Sequence, residues 1–325
     1  MRILVTGSSG HLGEALMRVL SDDGHEVIGL DVLASPHTDV VGSIVDRNVV
    51  QRSVAGVDAI VHAATLHKPH VGSHRRADFV ATNIAGTLNL LEEAVVAGVS
   101  RFIFTSTTSA FGRALAPEEG QPAAWITEDV RPVPRNIYGT TKTAAEDLCQ
   151  LMWQDHGLPC LILRTSRFFP EPDDRDDVRT AFGDLNIKVN ELLYRRVDIE
   201  DVVSAHRLAL ERAPAIGFAR YVISATTPLT PDDLTDIRAD LPAVVERLYP
   251  NYVDIYATRG WSMFGSIERV YVNERARREL GWAPRYDFAR ALERVGNDED
   301  PRSELARTVG AKGYHETSTG IYTVR

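Results

Sequence analysis

Residues Ile3-Leu4-Val5-Thr6-Gly7-Ser8-Ser9-Gly10-His11-Leu12-Gly13 decide the fold. A short apolar run, glycines at 7, 10 and 13, and an amphipathic stretch over 11–21 predict a strand, a tight turn and a helix. Glycines so placed let the backbone bend sharply and approach a pyrophosphate. The free N–H groups of Ser9, Gly10, His11, Leu12 and Gly13 then face its negative charge. A second apolar run over 27–30 ends at Asp31. A carboxylate there accepts hydrogen bonds from the adenosine ribose and repels a 2′-phosphate. No Arg or Lys lies between Asp31 and Asp46, so the expected dinucleotide is NAD rather than NADP.

Outward from that turn, strand and helix patterns alternate. Apolar runs at 3–5, 27–30, 59–62, 102–105, 160–163 and 220–224 are separated by helical patterns at 11–21, 49–55, 76–97 and 137–156. Gly98 and Gly157 stand where helix C-caps are expected. This alternation predicts an α/β fold, a doubly wound parallel (Rossmann) sheet with ligands beyond the C-terminal strand ends. The expected division assigns residues 1–165 and 197–225 to the dinucleotide-binding domain. A smaller C-terminal substrate domain takes 166–196 and 226–300, and a tail covers 301–325.

The 325 residues, 44% hydrophobic and 25% charged, suit a globular chain with an ample core. A net charge of −9 argues against a nucleic-acid partner. No apolar run reaches the length of a membrane span, and a strand at the first residues leaves no room for a signal peptide. Two cysteines, Cys149 and Cys160, read as small buried hydrophobes of a reducing compartment, so the expected location is cytoplasmic.

Tyr138-Gly139-Thr140-Thr141-Lys142 carries the chemistry. Four residues apart on a helix, phenol and ammonium share a face. A neighbouring cation and an oxidised nicotinamide both favour the phenolate, so Tyr138 can take a carbinol proton as hydride leaves. The strand that ends Phe104-Thr105 opens into the hydroxyl run Ser106-Thr107-Thr108-Ser109, at the sheet edge where a ligand belongs; the same run can also simply cap a turn. Arg167, Arg175 and Arg179 in and around an acidic Pro-containing loop can bind a carboxylate or phosphate bidentately, or serve as surface ion-pair partners. His62, His67, His70 and His74 match no metal-ligand spacing, and no metal is expected.

Over roughly residues 1–290 the chain resembles the extended short-chain dehydrogenase/reductases, in their NAD-dependent epimerase/dehydratase branch. The likeness rests on the Gly7/Gly10/Gly13 turn, Asp31, His62-Ala63-Ala64, Asn83-Ile84-Ala85-Gly86-Thr87, Tyr138/Lys142, Arg164 and Arg278-Glu279-Leu280-Gly281-Trp282. The resemblance implies Thr107 as the hydroxyl that positions the reacting oxygen, Tyr138 as acid/base, and Lys142 as its tuner and ribose ligand. It further implies Ser43, Ile44, Ala63, Ala64, Asn83 and Thr105 around the cofactor, and Thr107, Thr108, Arg167 and Arg179 towards substrate. It also implies a homodimer through the helices at 76–97 and 137–156.

The departures narrow the chemistry. Dehydratases of this family carry Asp-Glu where this chain has Thr108-Ser109, so neither elimination role is filled. Ser43 stands where an adenine-binding acid is usual, with Asp46 as a substitute. Thr165-Ser166-Arg167 and a short segment up to Asp198 argue against a large nucleotide pocket. Pro170-Glu171-Pro172 resembles the matching loop of uronate dehydrogenases, which oxidise free sugar acids. The leading expectation is an epimerase-type NAD-dependent oxidoreductase of a sugar or nucleotide sugar. The alternatives are an NAD-dependent dehydrogenase of a free aldose or uronic acid, and a catalytically silent NAD sensor.

Overall fold

The computed structural model describes residues 1–173 and 175–312. Residues 313–325 of the expected tail lie outside the described residues. Strands β1 (Arg2–Thr6), β2 (Glu26–Asp31), β3 (Val40–Val41), β4 (Ala59–His62), β5 (Arg101–Thr107), β7 (Cys160–Thr165) and β8 (Phe218–Ile223) form one sheet. Their order is β3-β2-β1-β4-β5-β7-β8, and every pair is parallel. The chain reverses its direction of travel beside β1, between β2 and β4, and there the sheet opens a crevice beyond its C-terminal edge. The two-residue β3 carries no period and left no sequence signal.

Both faces of the sheet are covered, which is why its strands read as near-continuous apolar runs. Ile3, Val5, Val61 and Ile103 point to one side, against helices His11–Asp22 and Ile199–Ile216. Leu4, Ile60, Phe102 and Phe104 point to the other, against Arg47–Val54, Gly86–Ala97 and Ile137–His156. Asn136 caps the last of these, its side chain accepting from Gly139 N at 3.0 Å, and Gly157 ends it in the left-handed conformation.

The stretch read as one helix over 76–97 is Arg76–Phe79, a π-helical turn Val80–Ala85 and then Gly86–Ala97. Asn83 lies inside the widened turn. Its Nδ2 donates to the Leu66 carbonyl (2.8 Å) and Thr141 Oγ1 (3.0 Å), and its Oδ1 accepts from Leu66 N (2.8 Å). The local widening accompanies this cross-link between the loop after β4 and the helix that carries Tyr138.

A smaller lobe has its own apolar core, including Leu193, Val245, Tyr256, Phe288 and Leu292. It also recruits residues from the first expected domain. Strand β6 (Ala124–Ile126) pairs in parallel with β9 (Arg269–Tyr271), and Ala123 joins the lobe's core. Three-residue strands are too short to register as a period. Cys149 and Cys160 are free and buried. Among the described residues no helix is long and apolar enough to cross a membrane.

Candidate active site

A cleft of about 1560 Å³ opens above the C-terminal ends of the strands and continues to the smaller lobe. The glycine turn lies at one end. Gly7 has φ +76°, and a Cβ there would come within 2.8 Å of the Ala64 backbone. A Cβ on Gly13 would lie 1.8 Å from the Gly7 carbonyl oxygen. The helix His11–Asp22 begins at Gly10 with no side-chain cap, so its first N–H groups are left for a ligand. Asp31, at the end of β2, accepts from Ser9 N (3.0 Å) and Leu33 N (2.9 Å). These bonds orient the carboxylate on the cleft wall and leave lone pairs for a diol. The residues therefore fit NAD: a turn that extra atoms would fill, uncapped amides for a diphosphate and a carboxylate for the ribose.

Most expected site residues meet on this wall: Gly7, Ser9, Gly10, His11, Leu12, Gly13, Asp31, Ser43, Ile44, Ala63, Ala64, Thr105, Thr107, Thr108, Tyr138 and Arg167. Asn83 stands behind it, bracing the loop and helix as described. Asp46 is not on the wall; it caps the helix Arg47–Val54 by accepting from Asn48 N (2.9 Å), which corrects its reading as an adenine contact.

Tyr138, on the first turn of its helix, and Thr107, at the end of β5, both line the cleft, and the Thr107 side chain acts on the phenol. Thr107 Oγ1 also accepts from Ser109 N at 3.0 Å, which fixes its rotamer. Burial pushes the Tyr138 phenol up to about 12, and the Thr107 side chain works against that. At neutral pH the side chain is therefore a phenol, and deprotonation requires an added positive charge.

Lys142 is placed differently from the expectation. It is 2% exposed, and its ammonium lies 3.8 Å from the centre of the Phe104 ring, behind the cleft wall rather than on it. Burial lowers its pKa to about 7, and Glu146 one turn further on opposes that. Glu146 is itself held by Arg164 Nη2 (2.7 Å) and by Ser106 Oγ (2.5 Å).

The expected substrate arginines are already engaged. Arg167 pairs with Asp173 and donates to Glu191 Oε1 at 2.6 Å. Arg179 pairs with Asp176, donates to the Asp173 carbonyl at 2.6 Å and does not reach the wall. Burial would raise Glu191, but Arg195, Arg196 and Arg167 override it and hold the carboxyl far below the usual carboxylate range. His62 is a core residue between the Thr6 (2.7 Å) and Thr87 (2.9 Å) hydroxyls. His67, His70 and His74 line the cleft, the first two rings stacked at 4.6 Å. Among the described residues no cluster is arranged to hold a metal ion.

Sequence reasoning missed five cations on the wall: Arg135, Arg195, Arg238, Arg269 and Lys312. Arg238 Nε and Arg269 Nη2 are buried with no hydrogen-bond partner among the described residues, and so is the hydroxyl of Ser166. No local motif marks these positions; the pairing of β6 with β9 brings Arg269 in.

Fold and cleft together define an extended short-chain dehydrogenase/reductase. Residues 3–223 match the NAD dependent epimerase/dehydratase family, and the chain belongs to it. It is 29% identical to the low-salt glycan biosynthesis protein Agl12 of Haloferax volcanii, over 92% of this chain and 100% of that protein. It is 26% identical to a 3-beta-hydroxysteroid dehydrogenase of Mycolicibacterium neoaurum, over 90% of this chain and 89% of that protein. In three dimensions it resembles a short-chain dehydrogenase/reductase superfamily protein from Agrobacterium tumefaciens with bound NAD. The TM-score is 0.64 at 24% identity, covering 91% of this chain and 96% of the other. NAD is the cofactor of the family.

Proposed function

We propose that this enzyme oxidises a carbinol carbon of a sugar carrying an anionic group, a nucleotide sugar above all, and returns the hydride to the opposite face as an epimerase. The observation that carries the reading is that Tyr138 and Thr107 lie together on the same cleft wall as the glycine turn. Bound NAD⁺ supplies the hydride acceptor and a positive charge near the phenol. Thr107 donates to or accepts from the substrate oxygen and aims it at Tyr138. With its proton lost to solvent, Tyr138 takes the carbinol proton as the C–H hydride departs, leaving a ketone. In the return direction Tyr138 would hand the proton back to the same oxygen, so that one residue serves both halves of an inversion.

The anionic group is argued from Arg238 and Arg269. With Arg195 they put three guanidinium groups on the cleft lining, and a phosphate or carboxylate is the group such side chains bind bidentately. This favours a nucleotide diphosphate over the short pocket expected from the 165–198 segment. Elimination of water is not supported, since Thr108 and Ser109 supply no acid or base. The names of the relatives range from glycan to steroid chemistry, so the substrate class rests on the site.

A panel of nucleotide sugars and free sugars tests the reading. The expected result is isomerised product with no net rise in absorbance at 340 nm. Stoichiometric NADH from a free aldose or uronic acid would replace it with a dehydrogenase; no turnover with any sugar would remove it.

A further inference from the structure

The last described residues cross the mouth of the glycine turn. His11 Nδ1 donates to the Gly310 carbonyl at 2.8 Å. The carbonyl can only accept, so Nδ1 carries the proton. The His11 ring also stacks on Phe168, 6.1 Å between centres. These contacts hold residue 310 against a position whose backbone N–H faces the diphosphate site, and they bring Lys312 onto the cleft wall. Its ammonium pairs with Glu14, in the first turn of the helix His11–Asp22.

The charges there do not balance. Glu14 also accepts from Arg18 Nη2 at 2.5 Å, so two cations share one carboxylate. They do so at the positive end of a helix, where the backbone dipole disfavours further positive charge. Glu14 leaves one of these positive charges uncompensated, and a diphosphate at the uncapped N–H groups beside it is the anion that would take it up. We propose that Lys312 is a cofactor-binding residue: carried over the turn by residues 310–312, its ammonium exchanges its Glu14 partner for the dinucleotide diphosphate. The only change is ion pairing, with no bond made or broken.

The test is calorimetric binding of NAD, ADP-ribose and adenosine to the full chain. Lys312→Ala should weaken NAD and ADP-ribose about tenfold, the scale of one charge-assisted hydrogen bond. Adenosine, which lacks the diphosphate, should bind as before. The salt dependence of NAD binding should become shallower. Glu14→Gln is the second variant. It releases Lys312 from its competitor, so NAD binding should hold or tighten. A merely structural role for the Lys312–Glu14 pair predicts that both variants weaken NAD alike, and that result would overturn the proposal. So would NAD and ADP-ribose binding to Lys312→Ala within twofold of the parent.

Discussion

Tyr138 and Thr107 share the cleft wall, one from the start of a helix and the other from the end of β5. Helix and strand pack against each other, so the pair is preset before any ligand arrives. Tyr138→Phe keeps the ring and removes the proton carrier. Turnover should fall on the order of 10²–10⁴-fold, the usual loss for a general acid/base, while NAD binding by fluorescence quenching persists. Turnover surviving in this variant would remove Tyr138 as the acid/base, and a biological activity left intact without turnover would point to the silent sensor instead.

Lys142 separates chemistry from folding. Its ammonium lies over Phe104 in an apolar layer, and Met fills a similar volume without a charge. Lys142→Met should leave the melting transition within about 1.5 kcal/mol of the parent, because volume-conserving swaps are tolerated. Turnover should nevertheless drop on the proposed role, in which the ammonium favours the phenolate. Unchanged turnover would strip Lys142 of any part in catalysis.

The glycines of the turn should differ in cost. A Cβ at Gly13 meets the Gly7 carbonyl at 1.8 Å, whereas one at Gly10 meets it at 3.2 Å. Gly13→Ala is expected to lose about 1–3 kcal/mol in urea unfolding and to abolish NAD binding. Gly10→Ala should be milder in stability; equal losses would mean that the turn relaxes freely.

Cofactor choice tests Asp31. Its carboxylate faces the cleft with lone pairs to spare. Asp31→Ala should narrow the preference for NAD over NADP by about 10–100-fold, as one charged acceptor is lost and one repulsion removed. Affinities for the two dinucleotides, measured side by side, give the ratio.

Glu191 links stability to acid. Its folded carboxyl sits far below its ordinary value of 4.5, held there by three arginines. A depressed carboxyl stabilises the fold above that value, and the contribution fades as pH falls below it. Unfolding free energy should therefore decline below about pH 4.5. Glu191→Gln should cost about 3–5 kcal/mol at neutral pH and flatten that decline. An acid limb identical to the parent's would contradict the assignment.

Much of this was readable in advance because it is local. Glycine spacing, the acid closing β2 and the Tyr138/Lys142 spacing are properties of neighbouring residues, and the strands buried on both faces announce themselves as apolar runs. Three placements depend on non-local contacts. Arg167 and Arg179, read as substrate ligands or ion-pair partners, are ion-paired with Asp173, Glu191 and Asp176. Asp46 is taken by a helix end. Lys142 follows its helix into the layer beneath the cleft rather than onto its wall.

By itself the sequence determined the parallel α/β sheet and the dinucleotide turn, and it singled out the residues proposed to move a proton, since each follows from backbone conformation and spacing over a few residues. Only the tertiary structure decided which charges face the cleft. Arg238, Arg269 and Lys312 come from distant segments whose meeting depends on the pairing of β6 with β9 and the docking of residue 310 on His11. Burial and competition among ion pairs, not residue type, set what remains available to a ligand.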